Sequence, residues 1–268
     1  MSLPPSQPSV VEPVDRPLLE VRNLSMRFGG LLAVDNVNFD VRRDQIFAII
    51  GPNGAGKTTV FNCVGGFYRP TTGAVALSGQ PIHHLPSHRI ARLGLVRTFQ
   101  NVRLFKTMTV VENLLVSQHT QLETRLLPGL FKTPKYRRAE TEALERAAFW
   151  LDKVGLLQVA NREAGNLAYG QQRRLEIARC MITHPKLLML DEPAAGLNPQ
   201  ETRDLDLLIN NLRAEHGVAV LLIEHDMSLV MGISDDILVM EYGRPIATGT
   251  PDEIRGDPRV IKAYLGEE

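Results

Sequence analysis

Eight consecutive residues, Gly51, Pro52, Asn53, Gly54, Ala55, Gly56, Lys57 and Thr58, have the spacing of a phosphate-binding loop. Glycines let the backbone curl with its N–H groups turned inward around phosphate oxygens, because no Cβ blocks the turn. Lys57 brings a cation to the β- and γ-phosphates of a nucleoside triphosphate; the hydroxyl of Thr58, which Thr59 follows, suits Mg²⁺. A second run, LLMLD at 187–191, is apolar up to Asp191, which could hold Mg²⁺ through water, and Glu192 comes next. A carboxylate one residue beyond a metal-holding Asp can orient and polarise an attacking water. Glu192 is therefore the candidate general base of an in-line phosphoryl transfer. Taken alone, an apolar strand ending in Asp-Glu also reads as the N-cap of a helix. Behind a phosphate loop it reads as chemistry.

The elements that position these residues follow from the apolar pattern. Short apolar or β-branched runs at 19–21, 37–41 and 45–50 predict strands, the last leading directly into the loop, and a helix is predicted over 58–64. The runs at 186–190 and 218–223 are almost wholly apolar, as strands covered on both faces of a parallel sheet must be. Each precedes a polar residue and a helical pattern, so the core is read as α/β. Between about 107 and 161 the β-type runs stop. Thr109 with Glu112 three residues later is a capping-box pattern, and 139–155 carries Leu144, Ala147, Ala148 and Leu151 at helical spacing with Gly155 closing it. The expectation is a P-loop NTPase core with a mixed sheet, spanning 18–268, and an α-helical subdomain inserted at about 101–180.

Composition limits the partners. Among 268 residues, 30 Lys plus Arg balance 30 Asp plus Glu, so no net positive field draws the chain to nucleic acid or acidic lipid. The 44% apolar share is enough for a sizeable core. Two cysteines, Cys63 and Cys180, without framework spacing suggest a reducing compartment. Residues 1–17 hold Pro4, Pro5, Pro8, Pro13 and Pro17 with neither a basic start nor an apolar stretch, and read as a flexible tail rather than a signal peptide. No uncharged apolar run approaches the roughly 18 residues needed to cross a bilayer.

Upstream of Asp191 lies NLAYGQQRR at 166–174, in which Gly170 opens a helix continuing through LEIARCMI. The free N–H groups and dipole of such a helix start suit a terminal phosphate, although Leu175, Ala178 and Ile182 also give the stripe of an ordinary amphipathic helix. This segment resembles the signature of ABC proteins, usually Leu-Ser-Gly-Gly-Gln, with Ala168 where the serine normally stands and with Gly170 and Gln171 matching the pattern. The resemblance implies that the phosphate it meets belongs to an ATP held by another subunit, in a head-to-tail dimer with two sandwiched nucleotides. Further elements fall in the family's order. Gln100 matches the Q-loop glutamine that senses Mg²⁺ or water. Asn198 matches the D-loop in place of its usual Asp, and His225 matches the switch histidine at the γ-phosphate. Phe28 matches the aromatic residue that stacks on adenine, for which the ring and not a hydroxyl is needed. Singly each has an ordinary structural reading; their collinearity carries the resemblance.

The stretches NLAYGQQRRLEIARC at 166–180, DEPAAGLNP at 191–199, EHDMSLVMGISD at 224–235 and the ending KAYLG at 262–266 are most similar to ATP-binding subunits of high-affinity branched-chain amino acid importers, in which Ala168 and Asn198 are ordinary. That resemblance implies ATP and Mg²⁺ as cofactors and a dimer with a sister ATPase subunit or a second copy. It also implies two transmembrane permeases, a periplasmic amino-acid-binding protein, and a peripheral position on the cytoplasmic face of the inner membrane. Lys132, Lys135, Arg137 and Arg138 would lie in the helical insertion facing the permease, or form an ordinary solvated charge run. The alternative is a soluble ABC ATPase acting in translation or DNA repair; such proteins usually carry two cassettes or a long coiled coil, and neither pattern is visible. An Asn-Lys-x-Asp guanine motif is likewise not visible.

Overall fold

The computed structural model describes residues 16–118 and 134–265, with the side chains of 134–137 and 265 left aside. Most of the proposed tail therefore lies outside the described residues, as do Lys132, the side chains of Lys135 and Arg137, and Gly266; Arg138 is paired with Glu142 at 3.1 Å.

Strands β1 (Leu19–Phe28) and β2 (Leu31–Val41) pair antiparallel, and β4 (Thr72–Leu77) and β5 (Gln80–Pro81) extend them into a four-stranded sheet of order β2-β1-β4-β5. The first two strands run well beyond the short stretches predicted from alternation. Register shifts between Val21 and Leu24 interrupt the period of two, and Asn23 and Asn36 adopt φ of 50° and 53°, a left-handed conformation that asparagine tolerates. A bulge of this kind hides a strand from a pattern search while leaving its pairing intact.

The second sheet has order β10-β9-β3-β8-β7-β6, with β3 (Ile46–Ile50), β6 (Leu95–Arg97), β7 (Leu187–Asp191), β8 (Ala219–Ile223), β9 (Asp236–Glu241) and β10 (Arg244–Gly249). All neighbours are parallel except β9 with the edge strand β10. Every residue of β3, β7 and β8 is buried, because both faces are covered. On one face Phe47, Ile49, Leu187, Met189, Leu221 and Ile223 join helix α1 (Lys57–Val64) and the four-stranded sheet in a common core. On the other face Ile46, Ala48, Ile50, Leu188, Leu190, Val220 and Leu222 meet helices packed below them.

Between β6 and β7 the described residues hold α3 (Val110–Gln118), α4 (Pro134–Lys153) and α5 (Tyr169–Met181), following the short α2 (Ser87–Arg92). Thr109 and Glu112 close a reciprocal cap at the start of α3, with Thr109 N–H donating to Glu112 Oε2 at 2.8 Å and Glu112 N–H to Thr109 Oγ1 at 3.3 Å. Val110, Leu114, Ala147, Trp150 and Leu151 from these helices share one continuous core with Leu175, Ala178 and the sheet. The inserted helices are thus fastened to the sheet by buried apolar contacts. Among the described residues, four further helices follow: α6 (Pro199–His216), α7 (Met227–Ile233), α8 (Pro251–Gly256) and α9 (Pro258–Leu265).

Candidate nucleotide site

The candidate residues gather where parallel strands end, because the loops leaving the carboxyl edge of such a sheet converge on one side. The phosphate loop leaves β3, Asp191 and Glu192 end or follow β7, His225 follows β8, and Gln100 stands three residues beyond β6.

Gly51 has φ 144°, and a Cβ there would lie 2.0 Å from the carbonyl oxygen of Met240, so the loop can leave β3 only through a glycine. Lys57 is 6% exposed and donates from Nζ to the carbonyl oxygens of Gly51 at 2.7 Å and Pro52 at 2.9 Å. Burial lowers its pKa and the nearby Glu192 charge works against that shift. Residues Asn53, Gly54, Ala55, Gly56, Lys57, Thr58 and Thr59 line a cleft of about 410 Å³ together with Leu31, Leu32, Ala33, Glu192, Tyr242 and Gly243. The first-turn N–H groups of α1 have no acceptor within the helix, so the cleft presents donors and a dipole suited to phosphate.

Glu192 sits at the centre of the catalytic candidates. Its Oε2 accepts from Gln100 Nε2 at 2.8 Å and lies 3.2 Å from His225 Nε2. The carboxylate is 14% exposed on a backbone with φ 48°, an uncommon conformation for a residue other than glycine that turns the chain sharply after β7. Glu192 N–H donates to the carbonyl of Ile223 at 2.9 Å, which fixes the turn against β8. Three residues distant in sequence therefore meet on one oxygen.

The remaining candidates lie elsewhere. Phe28 is 42% exposed and packs edge-on against Tyr68, with centroids 5.3 Å apart; it does not line the phosphate cleft. Ala168 is the N-cap of α5 and offers no side-chain acceptor, while its N–H donates to Gln171 Oε1 at 3.2 Å, so Gln171 folds back on its own helix start. A Cβ on Gly170 would lie 2.5 Å from Glu201 Oε1, which places this glycine's close approach against α6 of the same chain. Asn198 caps α6, its Oδ1 accepting from Gln200 N–H at 2.9 Å and Glu201 N–H at 3.0 Å. None of these four side chains joins the cluster on Glu192.

Several polar residues that the motifs did not single out hold the loops in place. Arg173 and Glu176 of α5 are buried and paired at 3.3 Å. Arg173 donates to the carbonyls of Phe99, at 2.7 Å, and Gln100, and Glu176 Oε1 accepts from Phe99 N–H at 3.4 Å and Arg103 N–H at 3.3 Å. The signature helix thereby grips the backbone that carries Gln100. Arg97 binds Asp191. Glu224, 1% exposed, accepts from Ala194 N–H at 2.7 Å on one oxygen, and from His225 N–H at 3.0 Å and Asp226 N–H at 3.4 Å on the other. Desolvation raises its pKa and those three donors oppose the rise. The sequence signals were charged residues beside motif positions: Arg97 closing a short apolar strand, and Glu224 directly before His225.

Glu224→Gln replaces one acceptor oxygen by an amide that meets a backbone donor. We expect about 1–3 kcal/mol of lost stability and a turnover number lowered about tenfold at unchanged nucleotide affinity. Thermal melts, steady-state hydrolysis and nucleotide titration check this; unchanged turnover would leave Glu224 without a part in placing His225.

Comparison with known proteins places the chain in a family. The ABC transporter family model matches residues 34–195, and a model described as "Branched-chain amino acid ATP-binding cassette transporter" matches 244–268. The chain is 66% identical over 254 residues to the high-affinity branched-chain amino acid transport ATP-binding protein BraF of Pseudomonas aeruginosa, covering 95% of this chain and 100% of that one. It is 64% identical, with the same coverage, to the corresponding protein LivG of Escherichia coli. Among solved structures, the ADP conformation of MJ1267, an ATP-binding cassette of an ABC transporter, superposes with a TM-score of 0.82 at 34% identity, over 94% of this chain and 100% of that one. The chain belongs to the ABC transporter family, as one of its ATP-binding proteins.

Proposed function

We propose that this chain is the ATP-hydrolysing subunit of an ABC importer that takes up branched-chain amino acids. The observation that carries the cargo is identity of 66% along the whole of a relative named for that transport. In this reading two ATP-binding subunits, this chain with a sister or with a second copy, close head to tail on two nucleotides. They sit under two membrane permeases, fed by a periplasmic amino-acid-binding protein, on the cytoplasmic face of the membrane. Among the described residues no helix is long and apolar enough to cross a bilayer, so membrane attachment in this reading comes through the permeases. Phe105, 45% exposed, and Met108, 37% exposed, stand just beyond Gln100 and give an apolar surface for such a partner.

Bound MgATP would supply the terminal phosphoryl group and the divalent charge that neutralises it. The donors present fit Mg²⁺ and not a softer metal: the exposed Thr58 hydroxyl at the start of α1, the Asp191 carboxylate and the Gln100 amide are hard oxygen groups, and too few to hold an ion without phosphate and water. Lys57 and the α1 N–H groups hold the phosphates, and Phe28 stacks on adenine. Glu192 takes the proton of the attacking water, with Gln100 and His225 setting the carboxylate's orientation. Ala168, Gly170, Gln171 and Asn198 face the nucleotide of the partner subunit. Ala168 brings no hydroxyl to that contact.

Affinity purification of the tagged chain from membranes is expected to recover two permeases, with a sister ATPase or with this chain alone, and vesicles containing that complex to accumulate leucine, isoleucine or valine only with ATP and with the amino-acid-binding protein supplied. Recovery of ribosomes or DNA instead, in a pool that never sediments with membranes, would favour a soluble ABC ATPase of translation or repair.

A further inference from the structure

Asp191 is held by one cation. Arg97, the last residue of β6, is in register with Met189 of β7, so its side chain lies on the face that Asp191 shares two residues on. Its Nη2 donates to Asp191 Oδ2 at 2.5 Å and its Nη1 to Asn62 Oδ1 of α1 at 2.6 Å. The pair is nearly dry, with side-chain exposures of 7% and 5%. The guanidinium stands 5.4, 5.5 and 5.7 Å from the ring centroids of Phe61, Phe67 and Phe99, and its Nε has no partner. Thr98, the next residue, accepts from Asp191 N–H at 3.4 Å and donates its own N–H to Met189 at 2.9 Å. Nothing else among the described residues hydrogen-bonds the Asp191 side chain, so Oδ1 remains for another ligand.

We propose that Arg97 is a positioning residue for the Mg²⁺-holding carboxylate: by occupying Oδ2 it fixes the Asp191 side chain and leaves Oδ1 available to the metal's water, and it ties that carboxylate to both the Gln100 segment and α1. The inference rests on the reading of Asp191 as the metal-holding residue. Two effects oppose one another. A guanidinium repels an approaching dication, while a fixed carboxylate spares the metal the cost of ordering it. Orientation prevails here because Arg97 is itself immobilised, by Asn62 on one side and three rings on the others, so that it holds the carboxylate in a single placement. Arg97 is also three residues from Gln100 on the same strand exit, so the pair would link that segment to the metal site.

The test is ATP binding by the full chain, titrated in EDTA and then across a Mg²⁺ series, for Arg97→Met, Arg97→Lys and Asp191→Asn on a Glu192→Gln background that prevents turnover. Arg97→Met is expected to bind ATP in EDTA within about threefold of the parent and to need at least about tenfold more Mg²⁺ for half of the Mg²⁺-dependent gain, the effect of losing a charge-assisted contact. Arg97→Lys keeps the charge but lacks the planar fork that serves Asp191 and Asn62 at once, and should fall between, about threefold from the parent. If Arg97→Met does not fold, the lysine variant alone decides. A Mg²⁺ requirement unchanged or reduced in the folded variants overturns the proposal, as does an equal loss of binding in EDTA, which would mark a general structural role. Asp191→Asn separates the two readings. If it leaves the Mg²⁺ dependence intact, the metal assignment of Asp191 is wrong; if it removes that dependence while the Arg97 variants do not, only the role of Arg97 fails.

Discussion

Glu192→Gln is expected to bind ATP within about twofold of wild type while hydrolysing it about 10²–10⁴-fold more slowly, the usual contribution of a positioned general base. The substitution is nearly isosteric and keeps a carbonyl oxygen able to accept from Gln100 Nε2, the contact now made at 2.8 Å. What it removes is the capacity to take a proton from water. Burial sharpens the effect: the side chain is 14% exposed, so bulk water has little room to substitute for the missing base. Because nothing in the phosphate loop changes, the variant should accumulate as an ATP-bound dimer, visible as a shift in size-exclusion chromatography that reverses when ATP is removed. Turnover within about threefold of wild type would move the base elsewhere, and His225, 3.2 Å from the same oxygen, would be the next residue to test.

Lys57→Ala is expected to give the complementary result, a loss of nucleotide affinity. One or two charge-assisted hydrogen bonds to phosphate oxygens are worth about 1.5–3 kcal/mol each, so the dissociation constant for ATP should rise by about ten- to a hundredfold or more. The loop itself should survive. Ala55 N–H still donates to Pro52 at 3.2 Å and Gly243 N–H to Ala55 at 3.1 Å, so its curvature does not depend on the Lys57 contacts to Gly51 and Pro52 alone. Equilibrium titration at fixed Mg²⁺, with a melting temperature measured alongside, separates binding from folding. Wild-type affinity in a folded Lys57→Ala protein would contradict the assignment of the phosphate site. Between them, these two outcomes would place binding on the loop after β3 and turnover on the turn after β7.

The two cores hold the strand exits from which these loops leave. Strands β3, β7 and β8 are buried on both faces, and each fully buried Leu or Ile contributes about 1.5–3 kcal/mol. With the parallel register of these strands, that packing fixes which strand ends lie side by side. The loops then need only short polar ties, supplied by Glu224 between the β7 and β8 exits, by Arg173 and Glu176 from α5 to the Q-loop backbone, and by Arg97 from β6 to Asp191.

Contiguous motifs were readable from residue order because their chemistry is local: a phosphate loop needs glycines, a lysine and a hydroxyl at fixed spacing, and an apolar run ending in Asp191 and Glu192 declares a buried strand with a polar exit. The parallel strands were readable for the same reason, being apolar on both faces. The bulged β1 and β2, by contrast, lost their alternation at Asn23 and Asn36, and the short β6 was only three residues long. Residue order could name Gln100, Glu192 and His225 but not bring them to one oxygen, since they lie on three strand exits whose adjacency is set by sheet order. Nor could it assign the local duties of Gly170, Gln171 and Asn198 within their own chain, or find the partners of Arg97 and Glu224. Those depend on which side chains the packed sheet leaves within about 3 Å of one another. Local chemistry is written in the sequence; proximity between distant segments exists only once the core has closed around them.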